Sequence, residues 1–328
     1  MHPLLATIER KNVNQDPIYM DNLSPFFAAR SKLWVYPIAW IFLFSTATFS
    51  LAQPPSLSDK LSPLIKAHEG KVAIGIKNLT SCETYYHQAD LVMPTASLIK
   101  LGIMTAAYRL SDQSKIGLND MVLLQKEDKV PGSGILTSNF SEGASFPLKD
   151  AIRLMIAYSD NTATNLVLDH IGIRTVNTIL TQMGFPNTRI NAKVFKGSTT
   201  SIAPEQTKKY GLGSTTAKET IDLLELIYSN KAATEKSCTA MIEHLKKCED
   251  KDMIPRELTG KLKSIAHKIG AVSDARTDAG ILYFDGGPVV ICVLTAENKD
   301  KRWTSENSAE ILIGKIGLIV FEHFQTKK

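Results

Sequence analysis

The chain has 328 residues, 44% of them hydrophobic and 22% charged, with a formal net charge of +5. That composition builds a sizeable core in one large domain and excludes wholesale disorder. The charge is modest and gathers into no dense basic block, so neither nucleic acid nor an anionic membrane surface is expected as a partner.

The N-terminal stretch stands apart. "LWVYPIAWIFLFSTATFSLAQ", Leu33 to Gln53, carries no charge, follows Arg30 and Lys32, and ends in Ser50-Leu51-Ala52 before Gln53. This is the pattern of an export signal cleaved after Ala52, and an apolar run of roughly 19 residues also suffices for a retained membrane anchor. Met20 would give a more ordinary leader as an alternative start. The expected organisation is a leader over 1–52 and one domain over 53–328, periplasmic or secreted, touching a membrane only if the leader is retained.

From Leu57 to Glu69 the apolar spacing predicts a helix, followed by two strands, "KVAIGIKNL" and "CETYYHQ", around a turn at Thr80-Ser81. Helices then dominate. "ASLIKLGIMTAAYRL", "PLKDAIRLMIAYS", "NTATNLVLDHIG", "RTVNTILTQMG" and "AKETIDLLELIYSNK" all repeat apolar residues at three and four. Asn187 to Gly213 is the least regular stretch. Strands return from Ile265 in "SIAHKIGAV", "DAGILYFDGG" and "PVVICVLTA", before a closing amphipathic helix, "NSAEILIGKIGLIVFEHF". The two ends therefore pair into one antiparallel sheet flanked by helices, an α/β lobe of 53–94 and 262–328, with a helical lobe of 95–261 inserted.

The four cysteines form no dense framework. Cys238 and Cys248 fall in one predicted helix, "CTAMIEHLKKC", about 15 Å apart along its axis and too far to pair. Cys292 reads as a core residue. With no Cys-x-x-Cys or His-x-His and seven scattered His, neither a catalytic thiol, a metal site nor a cofactor is expected.

Three polar constellations interrupt the apolar pattern. Ser97 and Lys100, in "MPTASLIKLGIM", lie one helical turn apart, so the amine can reach the hydroxyl. A lysine whose ammonium is disfavoured by its apolar surroundings can deprotonate a serine; a cap serine with an incidental surface lysine is the plainer alternative. In "YSDNTATN", Ser159 or Asp160 caps a helix, or Ser159 relays a proton while the Asn161 amide holds a substrate amide and the lysine. In "HKIGAV", Gly270 on an edge strand admits a ligand to the backbone and Lys268 offers positive charge, unless it simply faces solvent.

Ser-x-x-Lys, Ser-Asp-Asn roughly sixty residues on and Lys-x-Gly about a hundred further resemble the set of class A β-lactamases and penicillin-binding proteins. "SDNTATN" continues as in the class A enzymes, Asn165 matching their structural asparagine, and "GSGIL" (132–136) and "STTA" (214–217) also fit. The resemblance implies an α+β fold with a five-stranded antiparallel sheet and an inserted helical lobe. It also implies a monomer that takes a β-lactam or a peptidoglycan-like amide. Ser97 would be the nucleophile and Lys100 its proton shuttle. Ser159, assisted by Lys268, would protonate the leaving nitrogen, and the N–H groups of Ser97 and Ala271 would form the oxyanion hole. The implied activity is that of an exported β-lactamase serving antibiotic resistance. The alternatives are a penicillin-binding or sensor module acylated without efficient turnover, and a cell-wall peptidase or amidase.

Two positions depart from that family. Ile269 replaces the hydroxyl residue that binds the substrate carboxylate, and Arg276 or Ser273 is the expected substitute. The deacylating glutamate is expected at or near Val194, in a loop about six residues longer than usual; Glu205 is the only carboxylate between Asn187 and Ala217, and so the candidate base.

Overall fold

The computed structural model describes residues 55–325; the expected leader lies outside them. Ser56 and Asp59 cap each other's backbone N–H groups and start helix α1 (Leu57–Ala67). The chain then forms strands β1 (Lys71–Asn78) and β2 (Thr84–His87). The helical lobe contains α2 (Lys100–Asp112), α3 (Leu148–Ala157), α4 (Asn161–Ile171), α5 (Ile173–Gln182), α6 (Ala217–Tyr228) and α7 (Glu235–Leu245). Strands β3 (Ser264–Val272), β4 (Ala275–Tyr283) and β5 (Val289–Ala296) follow, and α8 (Ser308–Gln325) closes the fold.

The five strands pair antiparallel in the order β2-β1-β5-β4-β3. The expected mixed fold is therefore present, with its five-stranded sheet. The run "VVICVLTA" is β5, the middle strand, buried at all eight positions, which is why it is apolar without alternation. Along β1 the period of two sorts the residues. Val72, Ile74 and Ile76 join Leu61 of α1 and Ile313, Ile316 and Val320 of α8 in one core. Ala73 faces the second core, which fills the helical lobe. Helix α2 is buried from Lys100 through Tyr108, an apolar rod through the middle of that lobe.

Several boundaries differ from expectation. The segment before α2 is a separate 3₁₀ turn, Ala96–Ile99. Helix α7 ends at Leu245, short of Cys248, so the two cysteines do not share a helix; both are buried free thiols. The irregular stretch contains a two-residue strand, Arg189–Ile190, and short helices at Gly197–Thr200 and Pro204–Tyr210. Short strands also occur within the helical lobe, at Met121–Leu123 and Ser145–Pro147. Among the described residues no helix is long and apolar enough to cross a membrane.

Candidate active site

Ser97 sits in the 3₁₀ turn that delivers the chain into α2. Ala96, immediately before it, has φ +45°, a left-handed conformation that costs a residue with a Cβ and persists only where the surroundings enforce it. The enforcement comes from both sides: Thr95 N–H donates to Gly213 O at 3.0 Å, and Thr277 Oγ1 on β4 donates to Thr95 O at 3.0 Å. Edge strand β3 presses against the same turn. A Cβ at Gly270 would lie 2.4 Å from Thr95 O and 2.8 Å from Leu98 N, so a glycine there is what lets the strand reach the serine.

Lys100 opens α2 and is fully buried. Its Nζ donates to Ser159 O at 2.6 Å and Asn161 Oδ1 at 2.9 Å, with Ser159 Oγ at 3.3 Å. Burial, reinforced by the charge of Lys268, holds its pKa well below that of an ordinary lysine, against the opposing pull of Asp160. Lys268, equally buried, donates to Ser159 Oγ at 3.0 Å and Ile269 O at 2.7 Å, and burial lowers its pKa too. The Ser159 hydroxyl thus lies between two amines. Its own φ is +51°, a second strained residue within this group.

The loop that carries Ser159 is fixed by Asp160. One carboxylate oxygen caps α4 through Ala163 N–H at 2.8 Å; the other accepts from Ile135 and Leu136 N–H at 2.7 and 2.8 Å. "GSGIL" is in this way tied to the Ser-Asp-Asn turn. Asn161 accepts from Lys100 and donates Nδ2 to Pro131 O at 3.1 Å.

Ser97, Asn161 and Ala271 open together into a cleft of about 420 Å³ whose wall also includes Val194, Phe195, Val272 and Trp303. Five of the expected residues therefore gather tightly: Lys100, Ser159, Asn161 and Lys268 by hydrogen bonds, and Gly270 by its approach to the serine turn. Ser97 and Ala271 line the cleft beside them.

Two expected residues do not join. Arg276 is fully buried behind β4, where its Nε donates to Glu310 of α8 at 2.7 Å. Its other nitrogens donate to the carbonyls of Val272, Ala275 and Arg302, and Trp303 lies over the guanidinium at 4.6 Å. Strand alternation accounts for this: Thr277 faces the serine turn, so its neighbour Arg276 faces the α8 layer. Four of the five guanidinium N–H donors are thereby taken up within the fold. Arg276→Ala should instead lower the unfolding free energy by about 3–5 kcal/mol, because Glu310 would be left without its charge partner. Denaturant unfolding of Arg276→Ala, Glu310→Ala and the double variant checks this, the double losing less than the sum.

Glu205 is exposed on the helix Pro204–Tyr210 and does not line the cleft, whereas Thr207, two residues along, does. Two residues on a helix point nearly opposite ways, so the carboxylate is turned outward. Val194 does line the cleft with Ser97, and Asn165 holds its backbone, donating Nδ2 to Val194 O at 3.0 Å and accepting from Val194 N–H at 2.8 Å. Sequence reasoning did not identify Thr277 or Trp303. A threonine between Arg276 and Asp278, and a tryptophan in the charged loop "NKDKRW", were the only signals of them.

A model of the β-lactamase enzyme family matches residues 56–324. The chain is 23% identical to β-lactamase VEB-1 of Pseudomonas aeruginosa, over 87% of this chain and 96% of that one. It is 24% identical to a β-lactamase of Bacillus licheniformis, over 77% and 81% of the two. Among solved structures, a β-lactamase of Sphaerobacter thermophilus superposes with a TM-score of 0.72 at 27% identity, covering 82% of this chain and 98% of that one. A PBP-A variant in acyl-enzyme complex with penicillin G superposes with a TM-score of 0.71 at 22% identity, covering 82% and 96%, a likeness of fold. With the family model spanning nearly the whole described chain, the protein belongs to the β-lactamase enzyme family.

Proposed function

We propose that the protein opens the amide of β-lactams through an acyl-enzyme on Ser97, acting outside the cytoplasm, and that release of the acyl group is its slow step. The observation that carries this reading is the chain Lys100–Ser159–Lys268, two buried amines sharing one hydroxyl beside the serine turn. An ammonium at Lys100 uses three donors in its three contacts. A neutral amine has two, and the 3.3 Å contact to Ser159 Oγ is the longest, hence the one released when Lys100 gives up its proton. Neutral Lys100 then takes the proton of Ser97 as its oxygen attacks the lactam carbonyl. The developing oxyanion lies between the N–H groups of Ser97 and Ala271, a contribution of roughly 10²–10³ in rate per donor. The carbon–nitrogen bond breaks as Ser159 Oγ hands its proton to the departing nitrogen, and Lys268 or Lys100 restores it.

Hydrolysis of the resulting ester needs a base for water. Val194 cannot serve, and Glu205 is turned away from the cleft. This favours the second reading, a protein that stays acylated and thereby senses or sequesters β-lactams. Turnover of a chromogenic cephalosporin by residues 53–328 separates the two. Slow but repeated turnover, abolished in Ser97→Ala, supports hydrolysis; a single equivalent released per protein supports the sensing role. Glu205→Gln should leave either result within twofold of the parent. A large loss in that variant would restore Glu205 as the base.

A further inference from the structure

The two most exposed large hydrophobic side chains among the described residues are Trp303, at 67%, and Phe195, at 64%. Single exposed apolar residues are ordinary on a protein surface. These two are not isolated: both line the cleft that holds Ser97, and so does Val272, itself 41% exposed. Apolar side chains left wet around one concave site mark a place that a ligand covers.

Each ring is held in place, and from a different wall. Phe195 belongs to the inserted lobe, and its ring lies on Gly132, where an added Cβ would stand 3.1 Å from Phe195 Cε2. Its backbone has φ +56°, a costly conformation for a residue with a Cβ. The neighbours are tied down: Lys193 pairs with Asp169, Asn165 holds Val194, and Lys196 Nζ donates to Glu127 O at 2.9 Å. Trp303 comes from the loop after β5 and lies over the buried Arg276 guanidinium at 4.6 Å. Arg276 Nη2 also donates to Arg302 O at 2.8 Å, fixing the residue before the tryptophan. Rings positioned in advance lose little freedom when a ligand covers them.

The cleft also has a direction. Ser97 and Ala271 line it, whereas Ser159 and Lys268 line a separate cavity of about 360 Å³ together with Glu249 and Asp250. The scissile bond lies across that boundary, with its carbonyl in the apolar cleft and its nitrogen toward Ser159. A substituent on the carbon beside the carbonyl therefore falls among the exposed rings, while whatever the nitrogen carries lies on the charged side. We propose that Phe195 and Trp303 are specificity-determining residues, which select an amide whose acyl side carries an uncharged aromatic ring. Aromatic rings gain from edge-to-face and offset contact with one another beyond the area they bury. A cationic substituent is disfavoured, because the Arg276 guanidinium already lies against Trp303.

This selection rests on the reading of Ser97 as the acylated serine, and two measurements test it. The phenylacetyl and acetyl derivatives of 6-aminopenicillanic acid differ by one ring. The full chain should be acylated by the phenylacetyl compound, benzylpenicillin, with an efficiency roughly 10–10²-fold higher, the range in which apolar pockets discriminate. Phe195→Ala and Trp303→Ala should each remove most of that preference while leaving the acetyl compound within about twofold of the parent, and Trp303→Phe should restore it. The loss should fall on the concentration dependence rather than on the maximal acylation rate, since the ring makes the same contacts before and during reaction. The second measurement needs no reaction. Of the three tryptophans, Trp34 and Trp40 lie in the expected leader, so Trp303 alone reports from the cleft. In Ser97→Ala the phenylacetyl compound should change the tryptophan emission, a signal absent when Trp303→Phe is added. Equal acylation of the parent by the two compounds, or variants that slow both alike, overturns the selection. No adduct on Ser97 with either compound overturns the reaction itself; an emission change with the phenylacetyl compound alone then still places its ring against Trp303, and no change overturns the selection as well.

Discussion

Lys100→Met should slow acylation of Ser97 by roughly 10²–10⁴-fold, the usual contribution of a positioned general base. Methionine nearly matches lysine in length and suits an apolar site, so α2 and the core around it should hold. What disappears is the amine that contacts Ser159 and Asn161. Those two acceptors lose a partner, a cost of about 1–3 kcal/mol each in stability, which leaves a folded protein for kinetics. The pH dependence gives a second handle. Lys100 must be neutral to act, and burial together with Lys268 holds its pKa well below the ordinary value. Acylation by the parent should therefore rise with pH through that lowered pKa and level off far below the range in which an exposed lysine deprotonates. In Lys100→Met that acid limb should be gone. Stopped-flow rates of benzylpenicillin acylation across pH check both statements.

Val194→Glu should shorten the life of the acyl-enzyme by about 10²–10³-fold, since general-base help to an attacking water has that order of effect. Asn165 fixes the backbone of residue 194 through both its N–H and its carbonyl, and the side chain lines the cleft with Ser97 and Asn161. A carboxylate at this position would stand where water approaches the ester. Val194→Gln is the control: similar in shape, it cannot accept the proton at neutral pH and should leave the lifetime near that of the parent. The comparison is direct, because the acyl-enzyme forms in all three proteins and only its decay should differ.

The candidate site was legible because each member occupies a place that chain geometry fixes. Ser97 and Lys100 are one turn apart, Ser159 and Asn161 flank a cap, and Lys268 and Gly270 alternate on a strand. Each pairing is local, and helix and strand periods determine local geometry. Arg276 lay beyond that reach. Strand alternation sets the face it points to, but that this face is covered by α8, whose Glu310 is 34 residues away, is decided by tertiary packing. Glu205 lay beyond it for another reason, since an irregular loop gives no period from which to read a direction. The two strained backbones, at Ala96 and Ser159, left no sequence signal because neither residue is glycine. Cys248 was read as part of a helix that ends three residues earlier.

The central claim, that Ser97 is acylated and released slowly, is tested most directly by intact-protein and peptide mass spectrometry of the protein mixed with benzylpenicillin over time. The account predicts an adduct of one penicillin mass on the peptide containing Ser97, formed quickly and lost slowly, and none in Ser97→Ala. A protein that remains unmodified at Ser97, or an adduct that survives the Ser97→Ala substitution, would contradict it.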